Sequence, residues 1–150
     1  MAVSDQPAPV AGRWDWVALE AGAGVCLLVA IPLTLIAAFV DSNNSGTNAL
    51  FFFGAMAGFI LGAGCAAWIQ RVGTPISHGI ITAMGAYVAA QAVFITIRLI
   101  GDHTVNWFGV FFTFSLVLGA GVLGGLLGSR LQTQGFSPST RRPSTRRSSQ

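Results

Sequence analysis

The sequence predicts an all-α, polytopic membrane protein built as a bundle of four transmembrane helices. Apolar residues make up 53% of the 150-residue chain and charged residues only 9%, whereas roughly a quarter of the residues in soluble domains are charged. Four apolar runs are each close to the roughly 20 residues that a helix needs to cross a bilayer core, and a helix satisfies its own backbone groups in lipid. The runs contain no Asp, Glu, Lys or Arg and cover Ala21–Val40, Ala49–Gln70, Gly79–Ile97 and Trp107–Gly128.

Tryptophan marks the ends of the four predicted spans. Trp14 and Trp16 precede the first span, Trp68 closes the second and Trp107 opens the fourth, and indole rings favour the headgroup region of a bilayer. The spans are expected at residues 17–40, 49–70, 79–100 and 107–128, within one transmembrane domain at 16–131. An N-terminal segment at 1–15 precedes this domain, and a basic tail at 132–150, rich in Ser, Thr, Pro and Arg, is expected to be disordered.

Arginine is distributed unevenly between the two predicted sides of the membrane. All eight cationic side chains are Arg, and Arg98 is the only one on the side of the loops 41–48 and 101–106. Because Arg biases its flank to the cytoplasm, the sequence predicts a multi-pass plasma-membrane protein with both termini cytoplasmic. Anionic lipids, rather than nucleic acid, are the expected counter-charge of the tail. The tail residues expected to bind lipid headgroups are Arg141, Arg142, Arg146 and Arg147.

Glycine recurs at helical spacing in the second and fourth spans. Small residues four positions apart form one face of a helix, and another helix can approach that face closely. The sequence leaves open whether these faces pack within one chain, in a homodimer or in a larger membrane complex. The predicted packing positions are Gly54, Gly58 and Gly62 in the second span, and Gly121, Gly124, Gly125 and Gly128 in the fourth.

Three polar residues lie within or beside the spans. Glu20, one turn into the first helix, is suited to the headgroup region or to the positive helix start, with proton coupling as the alternative. Gln91 is an amide deep in the third span, which predicts a hydrogen bond to another helix or a polar path. Arg98 is expected to extend to the outer interface and to pair with Asp102.

Motifs for catalysis or metal binding are not recognisable in the sequence. The five acidic residues are scattered over both flanks, and the predicted topology places His78 and His103 on opposite sides of the membrane. Cys26 and Cys65 lie in apolar runs without CxxC spacing. The sequence therefore predicts no enzyme and no cofactor or metal, and it favours a structural, accessory or regulatory subunit that packs through its glycine-rich helix faces.

Part of the chain resembles a known group of proteins. The segment Gly58-Phe59-Ile60-Leu61-Gly62 leading to Arg71, the Ser77-His78-Gly79 start of the third span and the Leu123–Gly128 end of the fourth resemble the YrzE-like group of small bacterial membrane proteins. The similarity covers about residues 54–131. It implies a four-span bundle in a bacterial plasma membrane, and the group has no established activity.

A small proton-coupled exporter of the small-multidrug-resistance type is the alternative function. Such exporters also have four short spans with an acidic residue in the first span and act as dimers, so Glu20 would be the coupling carboxylate. Glu20 is shallow, however, because proton-relaying acids usually lie nearer the middle of a span. The aromatic and proline pattern of that family's middle spans is also missing.

Overall fold

The computed structural model of the chain describes residues 14–39, 45–101 and 104–136. Every regular element within these ranges is an α-helix, and each of the four helices is long and apolar enough to cross a membrane. This finding confirms the predicted all-α class with four candidate spans and makes the chain a multi-pass membrane protein. The helices are α1 at Trp16–Phe39, α2 at Ser45–Ile69, α3 at Pro75–Ile100 and α4 at Trp107–Thr133.

Three helix ends differ from the predicted boundaries by four residues or more. Helix α2 begins four residues before 49, and α3 begins four residues before 79. Pro75 occupies the first turn of α3, where a missing N–H breaks no helical hydrogen bond. Helix α4 continues past 128 to Thr133, and Gly135 follows with a φ of 81°, a left-handed conformation that commonly ends helices. The predicted tail at 132–150 therefore begins in a helix, and residues 137–150 lie outside the described ranges.

The four helices alternate in direction, so the bundle has two distinct ends. Helices α2 and α3 each contact all three other helices, whereas described residues of α1 and α4 do not approach each other. Helices α2 and α3 therefore form the centre of the bundle. We call the end that contains Trp16, Ile69, Pro75 and Thr133 the closed end. We call the end that contains Phe39, Ser45, Ile100 and Trp107 the open end.

Burial in the bundle follows residue size rather than polarity. Most of the buried apolar residues are alanines, whereas large apolar side chains such as Leu28 and Phe108 are 76% and 80% exposed. A soluble protein would bury such side chains in its core, but a transmembrane bundle turns them toward lipid and packs small residues between its helices. The surface of the bundle is therefore suited to a hydrocarbon environment.

Helices α1 and α2 make backbone-to-backbone contact at glycine. A Cβ atom added to Gly62 would lie 2.5 Å from the carbonyl oxygen of Gly22 and against the Sγ atom of Cys26. One turn away, a Cβ at Gly58 would lie 2.8 Å from the Cβ of Val29. Gly54 continues the same face toward the open end, where its neighbour is the flexible end of Leu33. The structure thus places the α2 glycine face against α1 of the same chain.

The glycines of α4 face two different helices. A Cβ at Gly121 would lie 3.0 Å from the Cα of Ile80 in α3, whereas a Cβ at Gly124 would lie 2.8 Å from the backbone nitrogen of Gly64 in α2. The two contacts repeat one turn later, so α4 packs into the groove between its neighbours. The glycines concerned are Gly121 and Gly125 toward α3, and Gly124 and Gly128 toward α2.

A stripe of small residues on α1 was missed by the sequence prediction. Ala18, Gly22, Cys26 and Ala30 are all buried, and they recur at intervals of four, which places them on one helix face. The same small-x3-small spacing that identified the α2 glycines would have found them. Their burial shows that both sides of the α1–α2 contact are made of small residues.

Replacing Gly22 with Ala should destabilise the fold by about 1–3 kcal/mol, as overpacking usually does. The new methyl group would lie 2.6 Å from both the Ala66 Cβ and the Gly62 carbonyl oxygen. Gly24→Ala is the matched control, since a Cβ there meets nothing within 4 Å. The control should be neutral or slightly stabilising, because Ala is about 0.5–1 kcal/mol better than Gly inside a helix.

Unfolding of both variants in the same detergent, followed by circular dichroism, measures the difference. An equal change in stability for Gly22→Ala and Gly24→Ala would contradict the close contact between α1 and α2.

Candidate binding cleft

A cleft of about 610 Å³ lies between the helices in the open half of the bundle, and all four helices line it. Its volume is within the range of roughly 300–1,000 Å³ that is typical of small-molecule sites. The lining runs from Ala30 to Ala37 on α1, from Asn48 to Phe59 on α2, from Tyr87 to Arg98 on α3 and from Val105 to Thr113 through the start of α4.

The cleft lies beyond the close glycine contacts of α4, which begin at Gly121. Glycine contacts bring helices closer than the usual 8–10 Å between axes, whereas bulky side chains require a wider separation. Three bulky side chains of α2 and α3, Phe51, Phe52 and Phe94, line the cleft. The phenylalanines of α4 in this half do not line it, and most of them are exposed on the surface of the bundle.

An aromatic cluster closes the cleft on the side of the bundle centre. The ring centroids of Phe59 and Tyr87 are 6.3 Å apart, and those of Tyr87 and Phe114 are 5.8 Å apart, both within the range of favourable aromatic pairs. The Tyr87 hydroxyl donates a hydrogen bond of 2.7 Å to the Val110 carbonyl oxygen. These contacts join α2, α3 and α4 and give the cleft a fixed floor.

Helix α3 supplies the polar side chains of the cleft at helical spacing. Tyr87, Gln91 and Arg98 all line it, and separations of four and seven residues place them on one face of α3. Within the described residues, Gln91 makes no hydrogen bond to another helix, which was one of the two roles predicted for it. It lies along the cleft instead, and the predicted polar path stays a prediction.

Arg98 lies at the mouth of the cleft, two residues before the end of α3. Its Nη1 atom donates a hydrogen bond of 3.2 Å to the Thr104 carbonyl oxygen. The predicted partner, Asp102, lies outside the described residues. Among the described residues that line the cleft, Arg98 is the only one with a charged side chain. It places a positive group at the mouth, and the described interior is mostly apolar and aromatic.

At the closed end, a buried amide side chain fixes the loop between α2 and α3. Gln70 is only 3% exposed, and its Oε1 atom accepts hydrogen bonds from the backbone nitrogens of Val72, Gly73 and Thr74 at 2.8, 2.9 and 3.4 Å. Gln132 of α4 adds a donor to the Gln70 carbonyl oxygen at 2.8 Å. The connection between α2 and α3 is thereby fixed to the end of α4.

A fully buried histidine attaches the start of α1 to the same loop. His78 Nε2 accepts the Asp15 backbone N–H at 3.0 Å, and Nδ1 lies 2.9 Å from the Thr74 carbonyl oxygen, which fits the tautomer with its proton on Nδ1. Asp15 in turn accepts the Arg71 backbone N–H at 3.3 Å. His78 thus has a packing role that the sequence prediction missed, because its partners are distant in the chain.

The other predicted polar positions lie apart from the cleft. Glu20 is exposed in the second turn of α1, near the closed end, and it does not line the cleft. Within the described residues, no group of three His, Cys, Asp or Glu side chains is arranged to hold a metal ion. The predicted lipid-binding arginines, Arg141, Arg142, Arg146 and Arg147, lie outside the described residues.

The helices, the glycine contacts and the cleft define the class of this protein. It is a multi-pass membrane protein in which one half of the helix bundle is tightly packed and the other half contains a cleft. Comparison with known proteins adds no further identity, since no family model, no curated protein and no solved structure matches the chain. The functional argument therefore depends on the cleft and on the chemistry of the residues that line it.

Gln70→Leu should lower the free energy of unfolding by about 1–2 kcal/mol. The change removes the side-chain oxygen that accepts hydrogen bonds from three backbone N–H groups of the loop. Gln134→Leu is the matched control, since Gln134 is exposed at the end of α4, and exposed substitutions usually change stability by less than about 0.5 kcal/mol. Detergent unfolding of both variants tests this role. A Gln70→Leu variant as stable as its control would show that water replaces the lost hydrogen bonds.

Proposed function

We propose that this chain is a non-catalytic binding protein of the plasma membrane, with accessory or regulatory duty, and that the cleft at the open end is its binding site. The observation that supports this proposal is the cleft itself, a space lined by all four helices, with aromatic walls and, among its described residues, one charged side chain. Such a space, mostly apolar with a few convergent polar groups, is the usual form of a binding site.

The chemistry of the lining supports binding rather than catalysis. The side chains around the cleft include amides, hydroxyls and one guanidinium, but no carboxylate, imidazole or thiol among the described residues. Those absent groups are the ones that most often act as general bases or activated nucleophiles. The described lining can hold and orient a molecule, but it lacks the groups that usually transfer protons to or from a bound substrate.

The positions of the glycines restrict which surface of the chain could contact a partner in an accessory role. All seven glycines that were predicted as packing positions contact helices of the same chain. A partner that docked on these faces would have to displace a helix of the bundle. In our proposal, contact with another molecule therefore occurs at the cleft and not at the glycine faces.

The exporter alternative receives no support from the position of Glu20. Proton-coupled transport needs the acidic group and the substrate to share or compete for one site, and Glu20 is exposed near the closed end while the cleft opens at the other end. We therefore favour a binding role over proton-coupled export.

The proposed location is the plasma membrane of a bacterium, with the closed end toward the cytoplasm. The closed end carries Arg71 and Arg130, and the open end carries Arg98. The tail adds further arginines on the same side as the closed end, so the positive-inside rule favours a cytoplasmic closed end. The resemblance to the YrzE-like group supports the bacterial origin.

Fusion reporters test the orientation. Green fluorescent protein fused after Gln150 should fluoresce, and alkaline phosphatase at that position should be inactive, because both report a cytoplasmic location. Alkaline phosphatase inserted after Asn44, in the loop between α1 and α2, should be active because that loop lies outside. The reverse pattern, with an active phosphatase after Gln150, would contradict the orientation.

A larger side chain inside the cleft should displace the molecule that binds there. Ala90 lines the cleft, whereas its neighbour Ala89 is exposed and does not line it. After purification of the full chain from membranes in mild detergent, a component bound in stoichiometric amount should remain with the native chain and with Ala89→Phe but be lost from Ala90→Phe. Gel electrophoresis and mass spectrometry would detect it. Equal retention by both variants would place the binding site elsewhere.

A further inference from the structure

We propose that the cleft binds one acyl chain of an anionic glycerophospholipid, with the lipid headgroup at Arg98. This inference rests on the proposed binding function and names the ligand class. Three features of the described residues support it: the charge at the mouth of the cleft, its depth, and a second groove on the bundle surface that shares lining residues with it.

The charge at the mouth selects an anionic headgroup. Among the described residues that line the cleft, Arg98 alone is charged, and one of the five N–H donors of a guanidinium is used in the hydrogen bond to Thr104. The planar fork of Arg matches the geometry of phosphate oxygens. Since Arg98 is two residues from the end of α3, it lies at the level where phospholipid headgroups meet a transmembrane helix.

The depth of the cleft matches one leaflet of a bilayer. Arg98 and Tyr87, at the mouth and the floor, are 98 − 87 = 11 residues apart on α3, which corresponds to about 16 Å at the rise of an α-helix. One leaflet of the hydrocarbon core is about 15 Å thick, half of roughly 30 Å. An acyl chain that extends downward from a headgroup at Arg98 would therefore reach the aromatic floor. Phe52, Met56 and Phe94 would surround it.

A groove between α3 and α4 brings the cleft close to surrounding lipid. This groove has a volume of about 380 Å³, and four residues line both it and the cleft: Tyr87, Gln91, Ile95 and Val110. Its remaining residues are apolar and include the exposed Val88 and Phe111. The wall between the two spaces is thus only one layer of side chains thick. The closeness of the cleft to the lipid-facing surface favours a membrane lipid over a water-soluble acid.

Native mass spectrometry of the full chain tests the inference with two lipids that carry the same acyl chains. Phosphatidylglycerol is anionic and phosphatidylcholine is zwitterionic. The native chain should retain one phosphatidylglycerol about tenfold more tightly than phosphatidylcholine. Both lipids offer a phosphate to Arg98, but the cationic choline group of phosphatidylcholine offsets the attraction between that phosphate and the guanidinium, and a tenfold ratio corresponds to about 1.4 kcal/mol. Arg98→Gln should lose this preference. Ala90→Phe, which fills the cleft, should weaken the binding of both lipids.

Two control variants separate the cleft from the rest of the surface. Arg130→Gln removes an exposed arginine at the closed end, and Ala89→Phe adds bulk beside Ala90 on the outward side. Both should bind phosphatidylglycerol as the native chain does. If Ala90→Phe does not fold, as judged by its unfolding in detergent, Ala55→Leu fills the cleft from α2.

The outcomes separate this inference from the proposed function. Phosphatidylglycerol binding that depends on Arg98 but survives both cleft-filling variants would show headgroup contact without an inserted chain, and would overturn the inference. Binding unaffected by Arg98→Gln would overturn it as well. In either case, a copurifying protein that still depends on Ala90 would leave the proposed binding function standing.

Discussion

The bundle depends on backbone contact between α1 and α2 at Gly22 and Gly62. Apolar side chains gain little by leaving lipid for a protein interior that is equally apolar, so helix association in a membrane relies on close van der Waals packing. At this contact each glycine lies against the carbonyl oxygen of the other, which leaves no volume for a side chain. The small residues of α1 and α2 follow this contact from Gly22 and Gly62 toward Gly58, where the neighbour is Val29.

The unequal distribution of glycine produces the two halves of the bundle. Helix α4 has its close contacts between Gly121 and Gly128, and these join it to both α2 and α3 at the closed end. Toward the open end the same helix carries phenylalanines, and α1 and α4 have no described contact that would draw the four helices together. The glycines thus bring the helices together in the closed half, and the cleft lies in the half where these close contacts of α4 are absent among the described residues.

The sequence predicted the helices and the glycine positions because both depend on local patterns. Hydropathy over about 20 residues identifies a span, and a spacing of four identifies a helix face. Even so, the pattern left open which helix each glycine face contacts, because the choice between partners depends on all four helices at once. The cleft was beyond prediction for the same reason, since its volume is set by distances between helices. Gln91 and Arg98 were recognised as unusual, and their shared helix face was visible in the sequence, but the space in front of them was not. Gln70 and His78 gave even less signal, because their roles arise from contacts with backbone groups in other segments.

Arg98 links the topology of the chain to the chemistry of its cleft. It is the one arginine on the predicted outer side, where a cation works against the orientation that the other seven favour. A polar uncharged residue at this position would serve the topology better. The structure places the guanidinium at the mouth of a cleft whose other described lining residues are uncharged. Near the interface, its long side chain can keep the charge in a polar layer while its methylene groups lie along apolar surface. The cost of the charge is therefore low at this depth, and the charge stands beside a mostly apolar space, which is the combination that our proposed lipid site uses.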